Sequence, residues 1–106
     1  MNLTRIEQLL KFLVEDPNDV FSLYALALEY KNEQPAEALQ LLNQLLVTHP
    51  DYLPAYYQTA ALMQENGEIK DALKLYEAGI ELARKQNNLA TLRELQAAHE
   101  LLLEDQ

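Results

Sequence analysis

The chain repeats itself. Setting VFSLYALALEYKNEQPAEALQLLNQLL beside LPAYYQTAALMQENGEIKDALKLYEAGI keeps small and large residues in phase. Leu23, Ala27 and Tyr30 return as Tyr56, Ala60 and Met63, each 33 positions later. Ala38, Leu42 and Leu45 return as Ala72, Tyr76 and Gly79, each 34 later, which places a one-residue deletion near Lys31-Asn32-Glu33 of the first copy. Asp16-Pro17-Asn18-Asp19 precedes the first copy and His49-Pro50-Asp51-Tyr52 the second. A unit of this length buries its apolar face only on a neighbour, so the chain is restricted to a stacked array.

Within each copy the spacing predicts two helices. Leu23, Leu26, Ala27 and Tyr30 follow helical periodicity, as do Tyr56, Thr59, Ala60 and Met63. Asn66-Gly67 offers a left-handed helix end. Pro35 suits a first helical turn, with Glu37 near the positive helix start. The second helices carry Ala38, Leu39, Leu42, Leu45 and Leu46, and then Ala72, Leu73, Tyr76, Gly79 and Ile80. Gly79 inside a helix costs about 1 kcal/mol relative to alanine, so close helix packing is its best explanation. Arg5 to Glu15 reads as the second helix of a preceding unit, with Ile6, Leu9, Phe12 and Leu13 inward. After a break at Gln86-Asn87-Asn88, Asn88 caps a last helix whose apolar side is Leu92, Leu95, His99 and Leu102.

This joint pattern resembles the tetratricopeptide repeat family. The second copy matches through Tyr56, Ala60, Met63, Gly67, Ala72 and Tyr76, with Thr59 and Gly79 as departures; the first matches through Leu23, Leu26, Ala27, Tyr30, Ala38 and Leu42, with Leu45 as a departure. Pro50 falls in the linker between them. The resemblance is strongest over residues 16 to 84 and implies an all-α fold, a right-handed α-solenoid of antiparallel helix pairs with about six helices. The expected layout is a single domain over 1–106: a half-repeat helix at 3–16, repeats at 20–52 and 53–86, and a capping helix at 88–104. It further implies a concave groove lined by Phe21, Tyr24, Leu28 and Lys31 in the first copy. In the second, Pro54, Tyr57, Ala61 and Gln64 line it, with Gln58 and Glu65 alongside. Of the tyrosines at YLPAYYQ, Tyr56 then belongs to the core and Tyr57 to the groove, while Tyr52 fits either. Met63 is expected in the core.

Charge narrows the partners. The 106 residues hold 17 acidic and 8 basic side chains, a formal net of −9, and no Lys or Arg stands between Asn32 and Ile69. Nucleic-acid affinity rests on Lys and Arg displacing counterions, so no nucleic-acid partner is expected. Anionic membrane surfaces are disfavoured for the same reason. The opening MNLTRIEQLLKF lacks a basic leader and an unbroken apolar run, no stretch has the ~20 apolar residues of a membrane span, and a cytoplasmic protein is expected. With no cysteine, a disulfide, a thiolate metal site and a cysteine nucleophile are excluded.

Catalytic motifs are absent. Ser22, four threonines and the tyrosines carry the hydroxyls, without G-x-S-x-G or a glycine-rich phosphate loop. His49 reads as a solvated turn residue and His99 as a satisfied, partly buried one. They lack metal-ligand spacing, so neither metal nor cofactor is expected. Glu77 and Glu81, flanked by Lys74 and Lys85, read as a solvated salt-bridge ladder. No enzyme activity is expected. Two functions remain, the first leading and the second its alternative. One is an adaptor or scaffold that holds a peptide or helix, basic with apolar anchors, on Phe21, Tyr24, Leu28, Lys31, Tyr57, Gln58, Ala61, Gln64 and Glu65. The other is a self-associating module, a homodimer or fixed assembly subunit, that uses the open flank of Phe21 to Tyr30 or the Leu101-Leu102-Leu103 end.

Overall fold

A computed structural model describes residues 1–106 and contains six α-helices. They are α1 Leu3–Glu15, α2 Val20–Tyr30, α3 Pro35–Thr48, α4 Pro54–Glu65, α5 Ile69–Lys85 and α6 Leu89–Glu104. The all-α reading holds, and no helix is long and apolar enough to cross a membrane. Contacts gather into two compact units, Met1–Ala55 and Tyr56–Gln106. Helical repeats concentrate contacts between elements adjacent in sequence.

In the first unit α1 packs on α2 and α2 on α3. Ile6 and Leu9 meet Ala25 and Leu26, with Leu13, Tyr30 and Leu41 closing the cluster. Phe12, expected inward with them, is 54% exposed. Ile6, Leu9 and Leu13 share one arc of the helix, and Phe12, ~100° before Leu13, points away from it. Side-chain caps start the helices. Asn2 Oδ1 accepts from the Arg5 N–H at 3.0 Å, and Asp19 Oδ2 accepts from both the N–H and the hydroxyl of Ser22, at 2.9 and 2.6 Å. Ser22 is buried with its hydroxyl donating to that carboxylate, so a polar side chain in the core is accommodated.

Asp19 also sets a pH dependence. The Ser22 hydroxyl, then the Ser22 N–H, hold its carboxyl below the ordinary value, with a smaller contribution from nearby His49. A carboxyl lowered by folding stabilises the fold above its unfolded value near ~4 and loses that contribution as pH falls through the folded value. We expect Asp19→Asn, which keeps a capping oxygen but cannot titrate, to melt below the wild type at neutral pH. The gap should close in acid, below the ordinary carboxylate range, when thermal unfolding is followed by circular dichroism. A gap that is independent of pH would show that the carboxylate charge contributes nothing.

In the second unit two helices end in the same way. Gly67 has φ +79° and donates to the Gln64 carbonyl at 3.0 Å, while Glu68 donates to Met63 at 2.9 Å. Asn87 has φ +55° and donates to Arg84 at 3.1 Å, while Asn88 donates to Ala83 at 2.9 Å. Both are left-handed ends in which backbone N–H groups satisfy the last free carbonyls. Asn88 then caps α6, its Oδ1 accepting from the Thr91 N–H at 3.1 Å, as expected. The first copy has no such end. With its turn one residue shorter, α2 stops at Tyr30, the counterpart of Met63, whereas α4 runs on to Glu65.

α5 packs on α6 through small and large partners. Ala72, Ala83 and Leu95 are fully buried, as is Ala60 of α4. A Cβ placed on Gly79 would lie 3.0 Å from Tyr56 Cβ and 3.1 Å from Leu95 Cδ1. The backbone at Gly79 therefore needs glycine for close approach, as its position inside a helix implied. Tyr56, beside it, is half-buried, and so is Met63.

Candidate functional site

α4 carries Tyr57, Ala61, Gln64 and Glu65 at helical spacing, and these four line an open concavity of about 500 Å³ in the second unit. α6 supplies Glu94, Ala97, Ala98 and Leu101, and α5 supplies Tyr76. The four α4 residues are among those expected from the sequence, and the structure brings them together. Gln58, also expected, is half-buried and is not part of the lining.

Tyr76 organises the concavity. Its ring is 2% exposed and meets Tyr57 edge-to-face, with centroids 6.1 Å apart and planes at 69°. Its hydroxyl donates to Gln64 Oε1 at 3.0 Å. Burial, and secondarily the neighbouring Tyr57, raise the Tyr76 hydroxyl above the ordinary tyrosine value. Tyr57 itself is 37% exposed and offers its ring to solvent. The small Ala61, Ala97 and Ala98 leave room for side chains to enter. Glu65 and Glu94 are the only charged residues of the lining, so the concavity is acidic around an apolar floor.

Sequence reasoning missed two parts of this arrangement. The sequence marks Tyr76 only as a repeat position, and its hydroxyl partner lies 12 residues away on another helix. The α6 lining does leave a signal, because Glu94, Ala97, Ala98 and Leu101 fall at i, i+3, i+4 and i+7. Hydrophobicity points instead to another side of the helix, where Leu95 and Leu102 are buried and Leu92 and His99 half-buried.

The other expected groove residues stand in the first unit. Tyr24 is half-buried and meets Tyr52 edge-to-face at 5.3 Å and 71°, so Tyr52 is a packing residue, its hydroxyl raised above the ordinary value by burial. Leu28 is half-buried, and Lys31, also half-buried, follows the last residue of α2. Phe21 is 64% exposed and lines a different concavity with Phe12.

Three polar expectations need correction. His49 is not simply solvated. Its Nε2 donates to the Asn18 carbonyl at 2.7 Å, and Gln44 donates to Pro17 O and Asn18 Oδ1, both at 3.0 Å, so the end of α3 clasps the turn before α2. Glu81 pairs with Arg84 at 3.0 Å, not with Lys85, because three residues along a helix brings side chains onto one face as well as four does. Glu77 lies 3.8 Å from His99 Nε2 across α5 and α6, not against Lys74.

Comparison with known proteins bears on the family and the fold. The model of the tetratricopeptide repeat family matches residues 29–102. A tetratricopeptide repeat domain protein from Salinibacter ruber, solved by NMR, is 39% identical over 82% of this chain and 89% of that one, with a TM-score of 0.76. A crystal structure of a tetratricopeptide repeat domain protein from the same organism gives 37% identity over 81% and 97% of the two chains and a TM-score of 0.78. A protein from Bordetella parapertussis, at 24% identity, shares the fold with a TM-score of 0.82 over 94% of this chain and 88% of that one. No curated protein matches.

Proposed function

This chain belongs to the tetratricopeptide repeat family, and we propose that it is a protein-interaction module whose contact surface is the concavity between α4, α5 and α6. The family fold mediates protein–protein interaction and is typically non-catalytic. The observation that carries the proposal is the convergence of Tyr57, Ala61, Gln64 and Glu65 with Leu101 and Glu94 around one acidic, apolar-floored concavity. A segment with apolar anchors flanked by Lys or Arg complements it. The anchors gain area against Tyr57 and Leu101, while the carboxylates speed approach and reject acidic segments.

Tyr57→Ala is expected to weaken such a segment by about 1–3 kcal/mol, as a central aromatic does when it is a binding hot spot. With a ring that is 37% exposed, the substitution leaves the fold in place. Calorimetric titration with a basic, leucine-bearing peptide, paired with a thermal melt, checks both. An unchanged affinity would refute the site. A second reading, self-association, is favoured by Leu101 and Leu103, which are 63% and 50% exposed on either side of buried Leu102. It predicts a dimer in sedimentation experiments that Leu101→Ser dissolves.

A further inference from the structure

The first unit holds a second concavity, of about 520 Å³, lined by Phe12, Glu15, Asp16, Asp19, Phe21 and Ser22. The chain has only two phenylalanines, and both stand here, 54% and 64% exposed. Two exposed phenyl rings that line one hollow offer apolar area and ring faces to a partner. Phe12 makes the point by comparison. With the linker prolines Pro17 and Pro50 aligned, it takes the register position of Leu45, which is fully buried.

Charge says what fits. No cation lines the hollow, while Glu15, Asp16 and Asp19 do. Glu15 and Asp16 take part in none of the ion pairs of the chain. Asp19 uses Oδ2 for both bonds to Ser22, so Oδ1 is not spent on the cap. Two copies of the chain meeting through this surface would oppose six carboxylates, three from each, which disfavours self-association here. A guanidinium is the complementary group. Its flat face stacks on an aromatic ring, its fork pairs with a carboxylate, and its aliphatic stem covers apolar surface. We propose that the Phe12–Phe21 hollow is a second docking surface, which receives an arginine side chain from a partner protein between the phenyl rings and the carboxylates of Glu15 and Asp16.

The test uses the full chain and three synthetic peptides, Leu-Arg-Leu-Arg and its lysine and citrulline counterparts, followed by amide NMR shifts. The expected result is that the arginine peptide perturbs residues 12 to 22 and binds about tenfold or more tighter than the uncharged citrulline peptide, a difference of about 1.4 kcal/mol. The lysine peptide should fall between them, having charge without the stacking plane. Phe21→Ala, and separately Glu15→Gln with Asp16→Asn, should each weaken the arginine peptide by about tenfold. All these side chains are exposed, so the variants retain the wild-type melt, and Tyr57→Ala leaves the shifts at residues 12 to 22 unchanged. The proposal is overturned if millimolar arginine peptide leaves these residues unperturbed, or if the citrulline peptide binds equally well. It is also overturned if Phe21→Ala has no effect, or if sedimentation shows a dimer that Phe21→Ala dissolves.

Discussion

Leu95→Ala is expected to lower the unfolding free energy by about 2–5 kcal/mol, the range for truncating a fully buried leucine. Leu95 is 0% exposed, and its Cδ1 and Cδ2 lie 3.1 and 3.3 Å from where a Cβ on Gly79 would stand. The loss is large beside a typical total stability of about 5–15 kcal/mol, so the urea midpoint should fall sharply. Gly79→Ala sets two effects against each other. Alanine gains about 1 kcal/mol of helix propensity, but overpacking costs about 1–3 kcal/mol. Overpacking wins here, because one neighbour is Tyr56 Cβ at 3.0 Å, an atom tied to the backbone that cannot swing aside. In the double variant the alanine methyl enters space that Leu95 has vacated. The two losses should therefore sum to less than their separate values, with a coupling of about 0.5–3 kcal/mol. Strict additivity would mean that the alanine methyl is opposed by Tyr56 alone and not by Leu95.

The second large effect is at Tyr76. Tyr76→Ala should cost about 3–5 kcal/mol, because it empties a buried aromatic site. Tyr76→Phe keeps the ring and loses the hydroxyl, and exposed Gln64 then bonds to water, so about 0.5–1.5 kcal/mol is expected. Gln64→Leu is the informative case. Judged by sequence as an open groove position, it would be neutral. In the structure it removes the acceptor of a hydroxyl that has little access to water, and a cost of about 1–3 kcal/mol follows. Urea midpoints should therefore fall in the order Tyr76→Phe, Gln64→Leu, Tyr76→Ala. If Gln64→Leu unfolds with the wild type, the hydrogen bond is not formed in solution and the tyrosine does not organise the concavity.

The contrast at Gln64 shows where sequence reasoning reaches and where it stops. Turn and cap chemistry acts within a few residues, so Gly67 as a left-handed end and Asn88 as a cap were legible from their neighbours. So was the need for closeness at Gly79, since a helix interior tolerates glycine only for a packing reason. Helical period also picked out Tyr57, Ala61, Gln64 and Glu65 as one face. Period assigns a face to a helix but does not say what stands across from it. Phe12 is a different case, since its angle around α1 already sets it off the arc of Ile6, Leu9 and Leu13. The gap does account for His49, whose partner Asn18 lies 31 residues earlier. The same gap hid the wall that α6 contributes. Local rules determined the six helices, their ends and their repeat. Only the packing of helices distant in sequence decided which side chains share a hollow, because hydrogen bonds such as Tyr76 to Gln64 depend on distances that the covalent chain does not set.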